Sequence, residues 1–266
     1  MVQMMAVVNL TPDSFYEPSR VWSDDPGVAL ARIRQLIADG ADIIDLGAVS
    51  TRPGAKAVSV KEEWRRLEPV LTALAAMAGN PTAETTGPAA PGDLAEANGA
   101  RRFPRISIDT TRAIIVKRAH KIIGDFIVND VSAGEDDRDM LKTVAKLDLT
   151  YVAMHKRGGP GTMDSLCDYP DGIMPELLRY FNVFSRCAEE LGINDWILDP
   201  GLGFAKTEAQ NWEILEKLER LKVFGRPILV GAADKRFTHG DTARANDLAV
   251  ANGADILRVH ELAARR

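Results

Sequence analysis

Asn9, Asp45, Asp109, Asn129, His155, Asp199, Arg258 and His260 each stand at the end of a short apolar run, and Lys235 follows another by two residues. An acid in one such place is often no more than a loop cap. A polar side chain at every one of eight places points to a shared site. Asp109, Asn129 and Asp199 offer acceptors, and Asn129 also offers donors. That set suits a planar heterocycle with an amino-amide edge, such as a pterin or guanine. Lys235 can donate to a ring oxygen or nitrogen, or balance buried carboxylates. Arg258 and His260 alternate with Val259, so they share a strand face and form a cation pair suited to a phosphate or diphosphate. Asn9 offers a neutral oxygen that could hold Mg2+ beside that group, with water and phosphate supplying most ligands. No Gly-x-Ser-x-Gly elbow is present, neither cysteine closes a strand, and the four histidines lack the clustered spacing of a zinc site.

Positioning these residues requires eight strands with helices between them. The chain shows that alternation. Strands are expected at Met5 to Asn9, 41–47, 105–110, 126–131, 150–155, 196–201, 227–233 and 254–260. Asp25 and Pro26 open the first helix, which Gly40 ends. Ser59 to Glu62 and Thr207 to Gln210 fit capping boxes, the second opening a helix that runs to about Lys222. Other helices are expected over roughly 112–123, 137–147, 172–191 and 242–252. A weak repeat, Gly40-Ala-Asp-Ile-Ile44, Gly124-Asp-Phe-Ile-Val128 and Gly253-Ala-Asp-Ile-Leu257, leads from a helix-ending glycine directly into a strand. Eight βα units close a (β/α)8 TIM barrel, whose strand C-termini converge on one mouth. A doubly wound open sheet is the runner-up, weakened by the lack of a Gly-x-Gly-x-x-Gly turn after the first strand. Only six residues follow the last strand, so the last covering helix is expected to be missing.

At 266 residues the chain is right for one such barrel, read as a single domain over 1–266. Residues 79–104 carry four glycines and four prolines with few large apolar side chains, and read as a flexible insertion on the face away from the mouth. A net charge of −5 argues against nucleic-acid binding through bulk charge. Two cysteines in unrelated contexts indicate a reducing, cytoplasmic setting, and neither a membrane span nor a signal peptide is expected.

Seven segments in order resemble dihydropteroate synthase, the folate-pathway enzyme inhibited by sulfonamides. They are Asn9-Leu-Thr-Pro-Asp-Ser-Phe15, Ser50-Thr-Arg-Pro-Gly-Ala55, Ile108-Asp-Thr110, Asn129-Asp-Val131, Met154-His155, Asp199-Pro-Gly-Leu-Gly-Phe204 and Arg258-Val-His260. The resemblance implies condensation of a dihydropterin diphosphate with 4-aminobenzoate, releasing diphosphate. It implies that Asp109, Asn129, Asp199 and Lys235 bind the pterin, with Met154 also at the substrate. Asn9, Thr51, Arg258 and His260 would hold the diphosphate, with Mg2+ at Asn9. Phe15, Arg52, Pro53 and Phe204 would shape the aminobenzoate site.

The chain departs from the family pattern at several places. Ala233-Asp-Lys235 replaces Ser-Arg-Lys, so a hydroxyl and a cation are lost. Val49 stands where the family usually has Glu, and Ala205 interrupts a Gly-Phe-Gly-Lys pattern. Ala233, Asp234 and the short carboxyl terminus are the features that would alter activity, and the shortened region after Lys235 and the absent last helix, which touch helices the family uses to dimerise, leave homodimer formation open. Two other readings use the same acceptors: a methyltetrahydrofolate-dependent corrinoid methyltransferase and a noncatalytic pterin-binding relative. The first would not need Arg258, His260 or the Thr51-Arg-Pro53 loop.

Overall fold

The structure is a computed structural model that describes residues 2–11, 25–49, 57–78, 103–159, 161–233 and 235–262. Its strands are β1 (Gln3–Asn9), β2 (Ile43–Gly47), β3 (Arg105–Asp109), β4 (Ile127–Asp130), β5 (Thr150–Met154), β6 (Trp196–Asp199), β7 (Leu229–Val230) and β8 (Ile256–Val259). Between them run α1 (Pro26–Asp39), α2 (Val60–Met77), α3 (Ala113–Ile123), α4 (Met140–Leu147), α5 (Ile173–Leu191), α6 (Glu208–Glu216) and α7 (Thr242–Ala251). The strands pair in parallel in the order β6-β5-β4-β3-β2-β1-β8-β7. A parallel bridge between Leu198 and Ile228 joins the two ends of that order, and the Leu198 N–H donates to the Pro227 carbonyl at 2.9 Å. The expected barrel is therefore present, and the open sheet is not.

Local chemistry explains the helix boundaries. The Asp25 carboxylate accepts from the Gly27 N–H, Pro26 occupies the first turn, and Gly40 closes α1 at φ 104°. The box at Thr207 and Gln210 is reciprocal, as the sequence predicts. The one at Ser59 is only half made. Ser59 accepts from the Glu62 N–H, but the Glu62 carboxylate is taken by Arg65 and Arg66.

Two expectations are corrected. The helix after Thr207 ends at Glu216, and residues Leu218–Phe224 form a 3-10 segment instead. Its tighter turn lets Leu218 and Leu221, three residues apart, both enter the core. The seventh strand spans only Leu229–Val230, because Pro227 lacks an N–H and the Ile228 N–H is taken by the Asp255 carboxylate at 2.9 Å.

Alternate strand residues divide between two cores. Ala6, Val8, Ile44, Leu46, Val128 and Leu198 pack outward against the helices, with Ile33 and Leu36 of α1 and Leu67 and Leu71 of α2. Met5, Ile43, Ile127, Val152, Ile197, Leu229 and Ile256 fill the barrel interior as a separate apolar layer. Among the described residues no helix follows β8, and none is long and apolar enough to cross a membrane. The expected flexible insertion falls, apart from Phe103 and Pro104, outside the described residues.

Candidate active site

One pleat repeat beyond the apolar layer, the barrel interior becomes polar. Adding two residues to Ile43, Ile127, Val152, Ile197 and Ile256 gives Asp45, Asn129, Met154, Asp199 and Arg258. A strand places residues i and i+2 on one face, so the same register that buries the apolar layer delivers these side chains to the mouth. Strand pairing sets Asp45 beside Ser107, and puts Asn9, Gly47, Asp109 and Asn129 in neighbouring register on β1 to β4.

Asp45 ties four strands together. It is fully buried, and its Oδ1 accepts from Ser107 Oγ at 2.6 Å. Its Oδ2 accepts from Asn129 Nδ2 at 3.2 Å and from Arg258 Nε at 2.8 Å. Arg258 Nη2 reaches on to Asp109 Oδ2 at 2.9 Å. Because a carboxylate only accepts, the Asn129 amide must present its NH2 to Asp45, which leaves its carbonyl oxygen for other partners. Sequence reasoning placed Asp45 at a strand end but gave it no role. Its signal was an acid at an interior register position with a basic residue on the neighbouring interior face.

Burial pushes Asp109 up to about 7, with Arg258 opposing and Asp45 adding to the rise. Burial also raises Asp199, although the Gly201 N–H, at 2.7 Å from Oδ1, and the cations Lys235 and Arg258 favour its charged form. Lys235 is lowered to about 8 by burial and then by Arg258, while Asp199 and Asp109 oppose. Arg258 is raised above its ordinary value despite burial, by Asp45 and Asp109. His260 is held at about 4 by burial and by the nearby cations Arg258, Lys235 and Arg32. The expected cation pair is thus corrected to one cation and one neutral imidazole at neutral pH.

Lys235 lies with Nζ 4.4 Å from the centroid of the Phe204 ring, a cation–π arrangement. Gly203 makes room for it: a Cβ there would stand 3.1 Å from Lys235 Cδ. Met154 is buried, registers with Asp199, and its carbonyl accepts from the Tyr180 hydroxyl at 3.2 Å. The structure thus gathers Asp109, Asn129, Asp199, Lys235, Arg258, Met154 and Phe204 at one mouth. Phe15, Thr51, Arg52, Pro53 and Asp234 lie outside the described residues.

Lys206, which sequence reasoning left without a role, is 8% exposed and binds His155 and the loop after β6. Among the described residues no group of three His, Cys, Asp or Glu could hold a metal. The single neutral oxygen of Asn9 fits a cation that keeps water and phosphate oxygens as its main ligands.

A family model for pterin binding enzymes matches residues 5–82 and 94–260. The chain belongs to that family. It is 34% identical over 275 residues to the dihydropteroate synthase of Synechocystis, covering 98% of this chain and 86% of that one. The dihydropteroate synthase of Yersinia pestis, crystallised with a sulfonamide drug complex, superposes with a TM-score of 0.82 at 29% identity, covering 99% of this chain and 90% of that one. That of Thermus thermophilus, in complex with 4-aminobenzoate, gives a TM-score of 0.76 at 32% identity, covering 100% and 91%. Within the pterin binding enzymes, the chain's place is among the dihydropteroate synthases.

Proposed function

We propose that the mouth condenses 6-hydroxymethyl-7,8-dihydropterin diphosphate with 4-aminobenzoate, giving 7,8-dihydropteroate and diphosphate. The observation that carries this reading is the interior polar layer, in which Asp109, Asn129 and Asp199 present acceptors beside Lys235. These four would hold the amino-amide edge and ring of the pterin. The bonds of Arg258 to Asp45 and Asp109 use Nε and Nη2, so Nη1 is left to donate to a diphosphate oxygen. His260, Asn9 and Thr51 would complete the diphosphate side, and Phe204, with Phe15, Arg52 and Pro53, the aminobenzoate side.

The aminobenzoate nitrogen gives its lone pair to the pterin methylene carbon. The carbon–oxygen bond to diphosphate breaks, the pair leaves on oxygen, and the amine proton passes to solvent. Arg258 stabilises the charge that develops on the leaving group, and Lys235 orients the ring against Asp199. Asn9 would hold Mg2+, which when bound supplies further neutralisation of the diphosphate. Cys167 and Cys187 are free thiols, in keeping with a cytoplasmic setting for this reaction.

The test is diphosphate release with Mg2+, with and without 4-aminobenzoate. Release is expected to depend on aminobenzoate. Lys235→Ala should lower kcat/KM by about 10- to 100-fold, the worth of a hydrogen bond to a charged group. Release that ignores aminobenzoate would mean hydrolysis of the pterin diphosphate in place of condensation, and pterin binding with no turnover at all would exclude the synthase reading in favour of a binding relative.

Asp109 gives a second check. Its proton leaves as pH rises through about 7, so the acceptor form gains population between pH 6 and 8. The affinity for 6-hydroxymethylpterin should rise by up to about tenfold across that window, and Asp109→Asn should flatten the profile. A flat profile in the unsubstituted chain would remove Asp109 from the pterin contact.

A further inference from the structure

Lys206 has no part in the chemistry above, yet its ammonium is enclosed by acceptors. Nζ lies 3.0 Å from His155 Nδ1, 2.9 Å from the Gly201 carbonyl, 2.9 Å from the Phe204 carbonyl and 3.3 Å from the His155 carbonyl. Burial lowers this lysine to about 7, against which Asp199 favours its charged form; as an ammonium it has only hydrogens to give, and Nδ1 is then the accepting nitrogen of His155. The ring hydrogen then sits on Nε2, on the side of Glu176 Oε1 at 3.8 Å. A neutral ring suits that role: burial first, then Lys206 and Arg157, depress His155 to about 2.

These contacts join two separate segments. His155 directly follows β5, while Gly201 to Phe204 form the loop after β6. The segments approach so closely that a Cβ at Gly201 would stand 2.0 Å from the His155 carbonyl oxygen. Carbonyl oxygens that converge in a buried place repel one another and lose their water, unless a donor satisfies them. Ala205, at φ 50°, adopts the left-handed turn that folds Lys206 back beneath its own loop. The chain thus accepts a disfavoured backbone conformation at the residue that brings this ammonium inward.

We propose that Lys206 is a positioning residue for the second substrate: it clasps the loop after β6 to the end of β5 and so fixes the Phe204 ring against Lys235. The inference rests on the reading that the Phe204 side receives aminobenzoate. The pterin side depends on the clasp less, because the Asp199 carbonyl is held in the sheet by the His155 N–H at 2.9 Å.

Lys206→Met should raise the KM for 4-aminobenzoate by about tenfold or more, change kcat less, and leave 6-hydroxymethylpterin affinity by calorimetry within about threefold. If Lys206 acts through Phe204, then in a Phe204→Ala background the same substitution should change that KM by less than about twofold. Lys206→Gln, which keeps two donors, should give a smaller rise and serves if the Met variant does not fold. Parallel loss of pterin and aminobenzoate binding, effects that multiply in the double variant, or an unchanged KM in Lys206→Gln would each overturn the assignment. No aminobenzoate-dependent release from the unsubstituted chain would overturn the reading beneath it, a distinguishable outcome.

Discussion

Asp45→Ala should lower the unfolding free energy by about 3–5 kcal/mol, the range for removing one partner of a buried ion pair. The reason lies in what remains. Arg258 Nε, Ser107 Oγ and Asn129 Nδ2 all donate to this one carboxylate; Ser107 and Asn129 are buried and cannot turn to water, while Arg258 would keep only its bond to Asp109. For a chain of this size the fall in Tm should be on the order of 10 °C. Asp45→Asn keeps an acceptor for Ser107 but loses the charge facing Arg258, so its effect should be smaller. Asp45 is also one of the charges that raise Asp109. The pH midpoint of pterin binding should therefore move below about 7 in Asp45→Asn, the direction set by removing a like charge. A Tm within about 2 °C of the parent in Asp45→Ala, on the same scale, would show that Arg258 is held well enough by Asp109 alone.

Gly201→Ala should weaken pterin binding by at least about tenfold and lower Tm as well. Two effects add. At φ 67° an L side chain meets the left-handed penalty, about 1–2 kcal/mol. Its Cβ would also stand 2.0 Å from the His155 carbonyl oxygen, and that oxygen belongs to backbone that cannot swing aside. Relief requires the loop to move, which withdraws the Gly201 N–H from Asp199 Oδ1. Gly203→Ala is the informative contrast. Its new methyl would meet the flexible stem of Lys235 at 3.1 Å, so it should disturb that lysine more than it disturbs stability. Calorimetric affinity within twofold of the parent for Gly201→Ala would separate the loop from the pterin contact.

The barrel was legible because its strands are short apolar runs bounded by glycine, proline and capping residues. Asp25-Pro26 and Thr207 with Gln210 are local signals, and local chemistry decided both ends. The break in the helix at Lys217 was not legible, since it depends on how Leu218 and Leu221 meet the core. Strand-end position led to Asp109, Asn129, Asp199 and Arg258 at the mouth, because register carries them there, whereas Lys235 comes to it from the loop after β7. It could not show that Arg258 is shared between Asp45 and Asp109, or that His260 is neutral. Both follow from distances between β2, β3 and β8, which are far apart in the chain. Lys206 was hidden for the same reason: its partners are carbonyl groups, which any sequence would supply.

The carboxylate of Asp45 wires one side of the mouth only. Asp45 joins β2, β3, β4 and β8 through one carboxylate, whereas Met154, Asp199 and Lys235 on the opposite arc make no hydrogen bond to it. The two arcs should therefore vary differently over evolutionary time. On the wired arc a single replacement strands several partners, so change there must come in matched sets and will be rare. On the other arc a residue that does not touch the pterin can drift without stranding a partner of Asp45, and Ala233 beside Lys235 shows such a change already carried. Selection by a molecule competing for the aminobenzoate side would find its escape there, leaving pterin recognition intact.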